Sequence, residues 1–248
     1  MGTEKIRGIT ELLGINPESP VFSLIEGSAD ALPYIGKVYS AFKTQRLQLR
    51  LKRVEGRLSS LSYLMIEQDN KLLDEFIRKK AFPVILDELF EEHEEEKIDL
   101  IINGLEYTYK NEVREESKML AYFDVLREMR VDEIKKLLEF SREYLINFRP
   151  SIDLQLFDRD DKEGRAKHRE NQGYSTYIEN HLAKLGLLDA SNEIQRAVEI
   201  MFKQLNDPNN NPIIPKTGKL IIDKKLTQFG ENFIKFFELT QLMKIPAE

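Results

Sequence analysis

The sequence predicts a mainly α protein, an antiparallel helical bundle or coiled coil followed by a small α+β module. Three observations carry that prediction. Apolar residues recur at heptad spacing through Leu47, Leu51, Val54, Leu58, Leu61 and Met65, the seam of a helix that packs on a helical partner. Charged residues make up 32% of the 248-residue chain beside 41% hydrophobic ones, with only 12 glycines and 9 prolines, a balance typical of long helices with one wetted face. After Gly173 the texture changes to turn clusters and short β-like runs.

Residues 1–32 read as an irregular N-terminal arm with a short helix: Pro17 and Pro20 break it, and Ile9, Leu12, Leu13 and Ile15 give it a small apolar patch. Pro33 suits the first turn of a helix, so the first long helix is expected over Pro33 to Glu67. Gln68, Asp69 and Asn70 make a turn and cap, after which Leu72, Leu73, Phe76 and Ile77 open a second helix. Pro83 kinks or restarts it before Ile85, Leu86, Leu89 and Phe90. Ile98, Ile101, Ile102, Leu105 and Tyr109 mark a third apolar face, and Leu120, Phe123, Leu126 and Met129 a fourth. Asp132 is placed to cap a helix through Ile134, Leu137, Leu138, Leu145 and Phe148 that Pro150 ends. The charged bundle is therefore 33–150.

Residues 151–174 read as a charged linker. Within 157–172 the one aliphatic side chain is Ala166, too little apolar surface to offset the entropy of ordering. Residues 175–248 form the C-terminal module. A helix through Tyr177, Ile178, Leu182 and Leu185 ends at Gly186, and a second apolar period follows at Ile194, Val198, Met201 and Leu205. Ile213-Ile214 and Leu220-Ile221-Ile222 flank a turn at 215–219, and Phe233, Ile234, Phe236, Phe237 and Leu239 mark a last helix. Helix, helix, hairpin, helix is the order of a winged-helix-like module.

Charge divides the bundle. Arg46, Arg50, Arg53 and Arg57 border the seam, whereas Asp87, Glu88, Glu91, Glu92, Glu94, Glu95 and Glu96 form an acidic run. Helices sorted in this way choose partners by charge, within one chain or between chains. The expected interaction faces are Arg46, Arg50, Arg53 and Arg57 on one side and Glu91, Glu92 and Glu95 on the other.

No chemistry is signalled. With no cysteine in the chain, disulfides and thiolate nucleophiles are excluded. The glutamates of 91–96 follow one another on a helix and point around its circumference, not into one pocket. His93, His168 and His181 are preceded at three residues by Phe90, Arg165 and Ile178, so no Glu-x-x-His pair exists for a di-iron bundle site. Thr217-Gly218-Lys219-Leu220 lacks the upstream glycine and downstream hydroxyl of a phosphate loop, and no Gly-x-Ser-x-Gly elbow occurs. No catalytic residue, cofactor or metal ligand is expected, and no enzyme.

Two places carry a family resemblance. Glu94-Glu95-Glu96-Lys97-Ile98-Asp99-Leu100-Ile101-Ile102-Asn103-Gly104-Leu105 is one. The other is Leu182 with Leu185-Gly186-Leu187-Leu188, followed by Leu226-Thr227-Gln228-Phe229-Gly230 and Phe233. In these stretches the chain resembles the abortive-infection alpha family of bacterial proteins, in which a charged helical bundle precedes a winged-helix-like tail. The resemblance implies a setting in resistance to phage and transfers no catalytic residue; the long charged connection at 151–174 and the helical period at 194–205 depart from the family pattern.

The leading expectation is thus a non-enzymatic, cytoplasmic protein that binds another protein or itself, as a homo-oligomer, in phage defence. A net charge of −6 from 37 basic and 43 acidic side chains argues against indiscriminate polyanion binding. A winged-helix DNA-binding regulator is the alternative, with Lys216, Lys219, Lys224 and Lys225 as the wing's phosphate contacts. A second alternative is a membrane-interface effector acting through residues 21–42, a stretch whose Glu26, Asp30, Pro33 and Lys37 rule out a transmembrane span.

Overall fold

The computed structural model describes residues 16, 18–28, 41–147, 162–189 and 224–244. The protein is mainly helical, with one two-stranded sheet among the described residues. Its chain divides into two units, residues 1–131 with 235–239 and residues 132–234 with 240–248.

In the first unit, α1 (Pro20–Ser28) and α2 (Ala41–Gln68) come first. The start expected at Pro33 lies outside the described residues. The seam side chains Leu47, Leu51, Val54, Leu58, Leu61 and Met65 are all buried, on the side of α2 that meets α1, α4 and α5. α2 stops at Asp69, whose φ of 44° is left-handed, and Asn70 caps α3 (Lys71–Phe76) by accepting the Leu73 N–H at 3.3 Å.

Pro83 neither kinks nor restarts the chain abruptly. The segment Ile77–Ala81 widens into a π-helix and runs directly into α4 (Phe82–Glu91), the Phe82 N–H bonding back to the Ile77 carbonyl. The wider turn accommodates a proline ring that would clash with the carbonyl four residues earlier and has no N–H to give it. α5 (Lys97–Lys110) and α6 (Glu116–Glu128) follow as the remaining long helices among the unit's described residues.

α2 and α4 diverge from a tight turn and meet again where Arg50 reaches the Leu89 carbonyl, so they are antiparallel. α2 and α5 are parallel, since Arg46 meets Glu95 near one end and Arg57 meets Glu106 further along. An antiparallel bundle therefore describes sequence neighbours, while the two helices with matched charges run the same way. Gly104 on α5 lets Phe123, Phe236 and Phe237 close over the helix, with Phe123 and Phe237 edge to face at 5.3 Å.

In the second unit, α7 (Val131–Leu138) contributes Asp132–Leu138, and α8 (Arg142–Asn147) follows after a break. Asp132 lies inside the first turn of α7, not at its cap. The helix begins one residue earlier because the Glu94 carboxylate, in the first unit with Val131, accepts the Val131 N–H at 3.0 Å.

The charged stretch expected as a linker is helical from Lys162 onward, forming α9 (Lys162–Lys184). Lys, Arg, Glu, Gln and Ala have high helix propensity, and α9 is anchored at its far end by buried Ile178 and Leu182. The helix closes in a Schellman motif: the Gly186 N–H bonds the Ala183 carbonyl and the Leu187 N–H the Leu182 carbonyl, with Gly186 at φ 76°.

β1 (Leu188–Asp189) pairs antiparallel with β2 (Lys225–Leu226), and α10 (Gln228–Phe236) follows, then a 3₁₀ turn at Leu239–Lys244. Thr227 caps α10, its hydroxyl accepting the Gly230 N–H at 2.9 Å and donating to the Gly186 carbonyl at 2.6 Å. A Cβ at Gly230 would sit 2.3 Å from the Leu187 carbonyl oxygen, so the backbones touch there. The helical period at 194–205 and the hairpin at 213–222 lie outside the described residues.

Candidate functional site

Two side-chain arrays stand out, one in each unit. In the first, the arginines of α2 form a ladder against the α4–α5 connection and one face of α5. Arg46 donates to the His93 carbonyl at 3.0 Å and faces Glu95 at 3.4 Å. Arg50, only 2% exposed, donates through Nε to Glu95 at 3.0 Å and through Nη1 to the Leu89 carbonyl at 2.7 Å, and its Nη2 also meets Glu95. Arg53 pairs with Asp99. Arg57 reaches Glu106 at 2.8 Å and the Asn103 amide oxygen at 2.6 Å. Acceptors at 95, 99, 103 and 106 thus track donors at 46, 50, 53 and 57, as parallel helices permit.

The acidic run itself is divided. Of Glu91, Glu92 and Glu95, it is Glu95 that meets the arginines. Glu92 is buried against Lys97 at 2.6 Å, whose ammonium also donates to the Met129 carbonyl, and the buried Glu88 pairs with Arg127. These settings move the carboxyl pKa values in opposite directions. The Arg50 hydrogen bond holds Glu95 below the ordinary carboxylate range. Burial pushes Glu92 and Glu106 up, but Lys97 with the His93 and Glu94 N–H groups, and Arg57 with Lys110, bring both below it. At Glu88 burial outweighs Arg127 and the pKa is raised.

Away from the seam, Leu49, Gly56 and Tyr63 recur every seven residues on the outer side of α2. Leu49 is 63% and Tyr63 58% exposed, and a Cβ at Gly56 would meet nothing within 4 Å. Beside Gly56, a shallow polar depression of about 560 Å³ is lined by Asn16, Glu18, Ser19, Lys52, Glu55 and Ser59.

The second array is on α9. The imidazole Nδ1 of His181 lies 2.7 Å from the carboxylate of Glu133, a residue of α7 that is 4% exposed. Tyr177 lies nearly parallel to the imidazole at a centroid distance of 6.4 Å, and Tyr174 nearly parallel to Tyr177 at 6.5 Å. Both tyrosines are exposed. On the flank, Glu179 draws Lys136 to 3.6 Å and Lys224 to 3.7 Å, and Lys224 also donates to the Asn180 amide oxygen at 2.9 Å.

Of the wing lysines, Lys224 is thus engaged with α9, Lys225 is exposed on β2, and Lys216 and Lys219 lie outside the described residues. In the stretch considered for a membrane interface, Val21, Leu24 and Ile25 are buried in the first unit; no helix of the described residues is long and apolar enough to cross a membrane. Among the described residues no group of three His, Cys, Asp or Glu side chains could hold a metal ion.

Sequence reading missed Asp99, Asn103 and Glu106, although their spacing on α5 continues from Glu95 along one helical face. It also missed the Glu133–His181 pair, 48 residues apart, for which no local pattern exists. No family model, curated protein or solved structure matches the chain.

Proposed function

We propose that the protein is a non-enzymatic interaction module that works by self-assembly, in the phage-defence setting that its resemblance to the abortive-infection alpha family implies. The carrying observation is the outer stripe of α2. The heptad seam and its arginines are engaged inside the chain, whereas Leu49, Gly56 and Tyr63 lie exposed on the opposite side of the same helix, with Ile66 beyond them. The stripe is self-complementary, because Leu49 and Tyr63 lie seven residues on either side of Gly56. Two copies of α2 crossing antiparallel at Gly56 set Leu49 of each against Tyr63 of the other, and the glycines let the backbones approach closely. The same arrangement brings the acidic end of α2, at Glu67, beside Gln45 and Arg46 of the other copy.

Size-exclusion chromatography with light scattering over micromolar to submillimolar loading tests this. The parent shifts from monomer to dimer as concentration rises, whereas Leu49→Lys/Tyr63→Lys stays monomeric with an unchanged melting curve. A parent that remains monomeric throughout, or a double variant that assembles like the parent, refutes the reading. In a bacterial host, phage resistance conferred by the parent is lost in the double variant.

A further inference from the structure

The acidic residues that the arginine ladder leaves over converge on one short piece of backbone. α6 ends at Glu128 and α7 begins at Val131, so Met129 and Arg130 alone separate the two helices. The α4–α5 connection and the first residue of α5 grip this piece on either side of Arg130. Lys97 donates to the Met129 carbonyl at 2.9 Å, and the Glu94 carboxylate accepts the Val131 N–H at 3.0 Å. The grip is itself held in shape. Glu92 accepts the His93 and Glu94 N–H groups at 2.7 Å and 2.9 Å and meets Lys97 at 2.6 Å, while Arg46 donates to the His93 carbonyl at 3.0 Å.

We propose that this grip is a latch: residues 129–131 come away from Glu94 and Lys97 while the rest of the first unit stays folded, and the other first-unit segment flanked by the second unit, 235–239, stays seated. The chain leaves the first unit after Val131 and returns to it only for 235–239. These two segments are held by different forces. On opening at 129–131 the freed backbone groups turn to water, Lys97 keeps Glu92, and Glu92 keeps its own N–H partners, so no buried charge loses its counterion. Glu94 is half-buried and hydrates on release, and the apolar side chains at stake are Met129 and Val131. At 235–239 Phe236, Phe237 and Leu239 are all buried, both phenylalanines pack edge to face with Phe123, and Asn103 donates to the Phe237 carbonyl at 2.9 Å. Unseating them would strip three large apolar side chains of cover and orphan a buried amide, so that segment lets go only with the unit's core. Two residues beyond the latch, Glu133 is bound to His181 within the second unit. What the latch releases is therefore the first unit's hold on the start of α7, a step that does not involve the outer stripe of α2.

Limited trypsin digestion of the full-length chain, with the initial rate of each cut followed by mass spectrometry, tests the proposal, because cleavage of a folded segment tracks the population of its open form. Arg130 lies in the latch and Lys235 in the seated segment, and both are exposed. The cut after Arg130 runs at least about tenfold faster than the cut after Lys235. Glu94→Ala, which removes one charge-assisted hydrogen bond, speeds the Arg130 cut by about tenfold or more and leaves the Lys235 cut at the parent rate. Chains nicked only after Arg130 keep both fragments together in gel filtration. Equal rates at the two bonds of the parent overturn the proposal, as do nicked fragments that separate or a Glu94→Ala protein cut after Arg130 at the parent rate. The Lys235 cut reports any general loss of fold, so a variant in which both cuts accelerate equally counts against the latch as well.

Discussion

Gly104→Ala sets helix propensity against tertiary packing. In the interior of a helix this change favours folding by about 0.8–1.0 kcal/mol, because glycine loses more backbone freedom and leaves more backbone to water. At Gly104 the added Cβ would lie 2.8 Å from Phe237 Cε1 and 2.9 Å from both Phe123 Cζ and Phe236 Cε1, inside the roughly 3.5–4.0 Å of an ordinary carbon contact. The three rings are themselves packed together and at most 1% exposed, so none can move aside without displacing another. Overpacking of this kind costs about 1–3 kcal/mol, and three simultaneous contacts put it at the upper end. The net expectation is a loss of about 1–2 kcal/mol. Gly56→Ala is the control: it is also within a helix of the first unit, but its Cβ meets nothing within 4 Å, so it gains the propensity term alone. Urea denaturation followed by far-ultraviolet circular dichroism, at a concentration where the chain is monomeric, should place the two variants about 2–3 kcal/mol apart on opposite sides of the parent. A Gly104→Ala protein as stable as Gly56→Ala would show that the rings do not confine the glycine.

Arg50→Glu should cost more than about 3 kcal/mol at any salt concentration, since it sets a second carboxylate against Glu95 in a buried position and leaves the Leu89 carbonyl without its donor. Arg53→Glu, at a half-exposed position, should cost under about 1 kcal/mol, and high salt should erase the loss; equal effects in urea melts at low and high salt would contradict the ladder. Acid titration separates the carboxylates. Glu92, Glu95 and Glu106 have lowered pKa values in the fold, so their stabilisation is present above the unfolded value of about 4.3 and is lost as pH falls through the folded values. Glu92→Gln should therefore reduce the loss of stability in acid. Glu88 has a raised pKa, so its contribution is greatest below the unfolded value and declines as pH rises through the folded one; Glu88→Gln should remove that decline and be at least as stable as the parent at neutral pH, as thermal melts across the pH range would reveal.

The sequence by itself determined the helical character of the protein and the inward face of α2, because a heptad period and burial are the same statement on a helix: Leu47, Leu51, Val54, Leu58, Leu61 and Met65 can all be hidden only on one side. It determined local punctuation too, at Asn70 and Gly186, where cap and left-handed chemistry act over a few residues. It placed cations along the border of that face, but their partners required the direction of α5. Only with α2 and α5 parallel do Asp99, Asn103 and Glu106 fall opposite Arg53 and Arg57, and the connection through α3 and α4 decides that direction. The charged stretch before Tyr174 has the composition of a linker, with nothing to bury; α9 forms there because its anchor, at Ile178 and Leu182, lies further along. Pro83 was legible as an interruption, but the π-helical turn that absorbs it is a backbone solution with no sequence period. The Glu133–His181 pair and the closure of Phe123, Phe236 and Phe237 over Gly104 join residues far apart in the chain. Such contacts are decided by packing in three dimensions, to which neither propensity nor spacing along a helix has access.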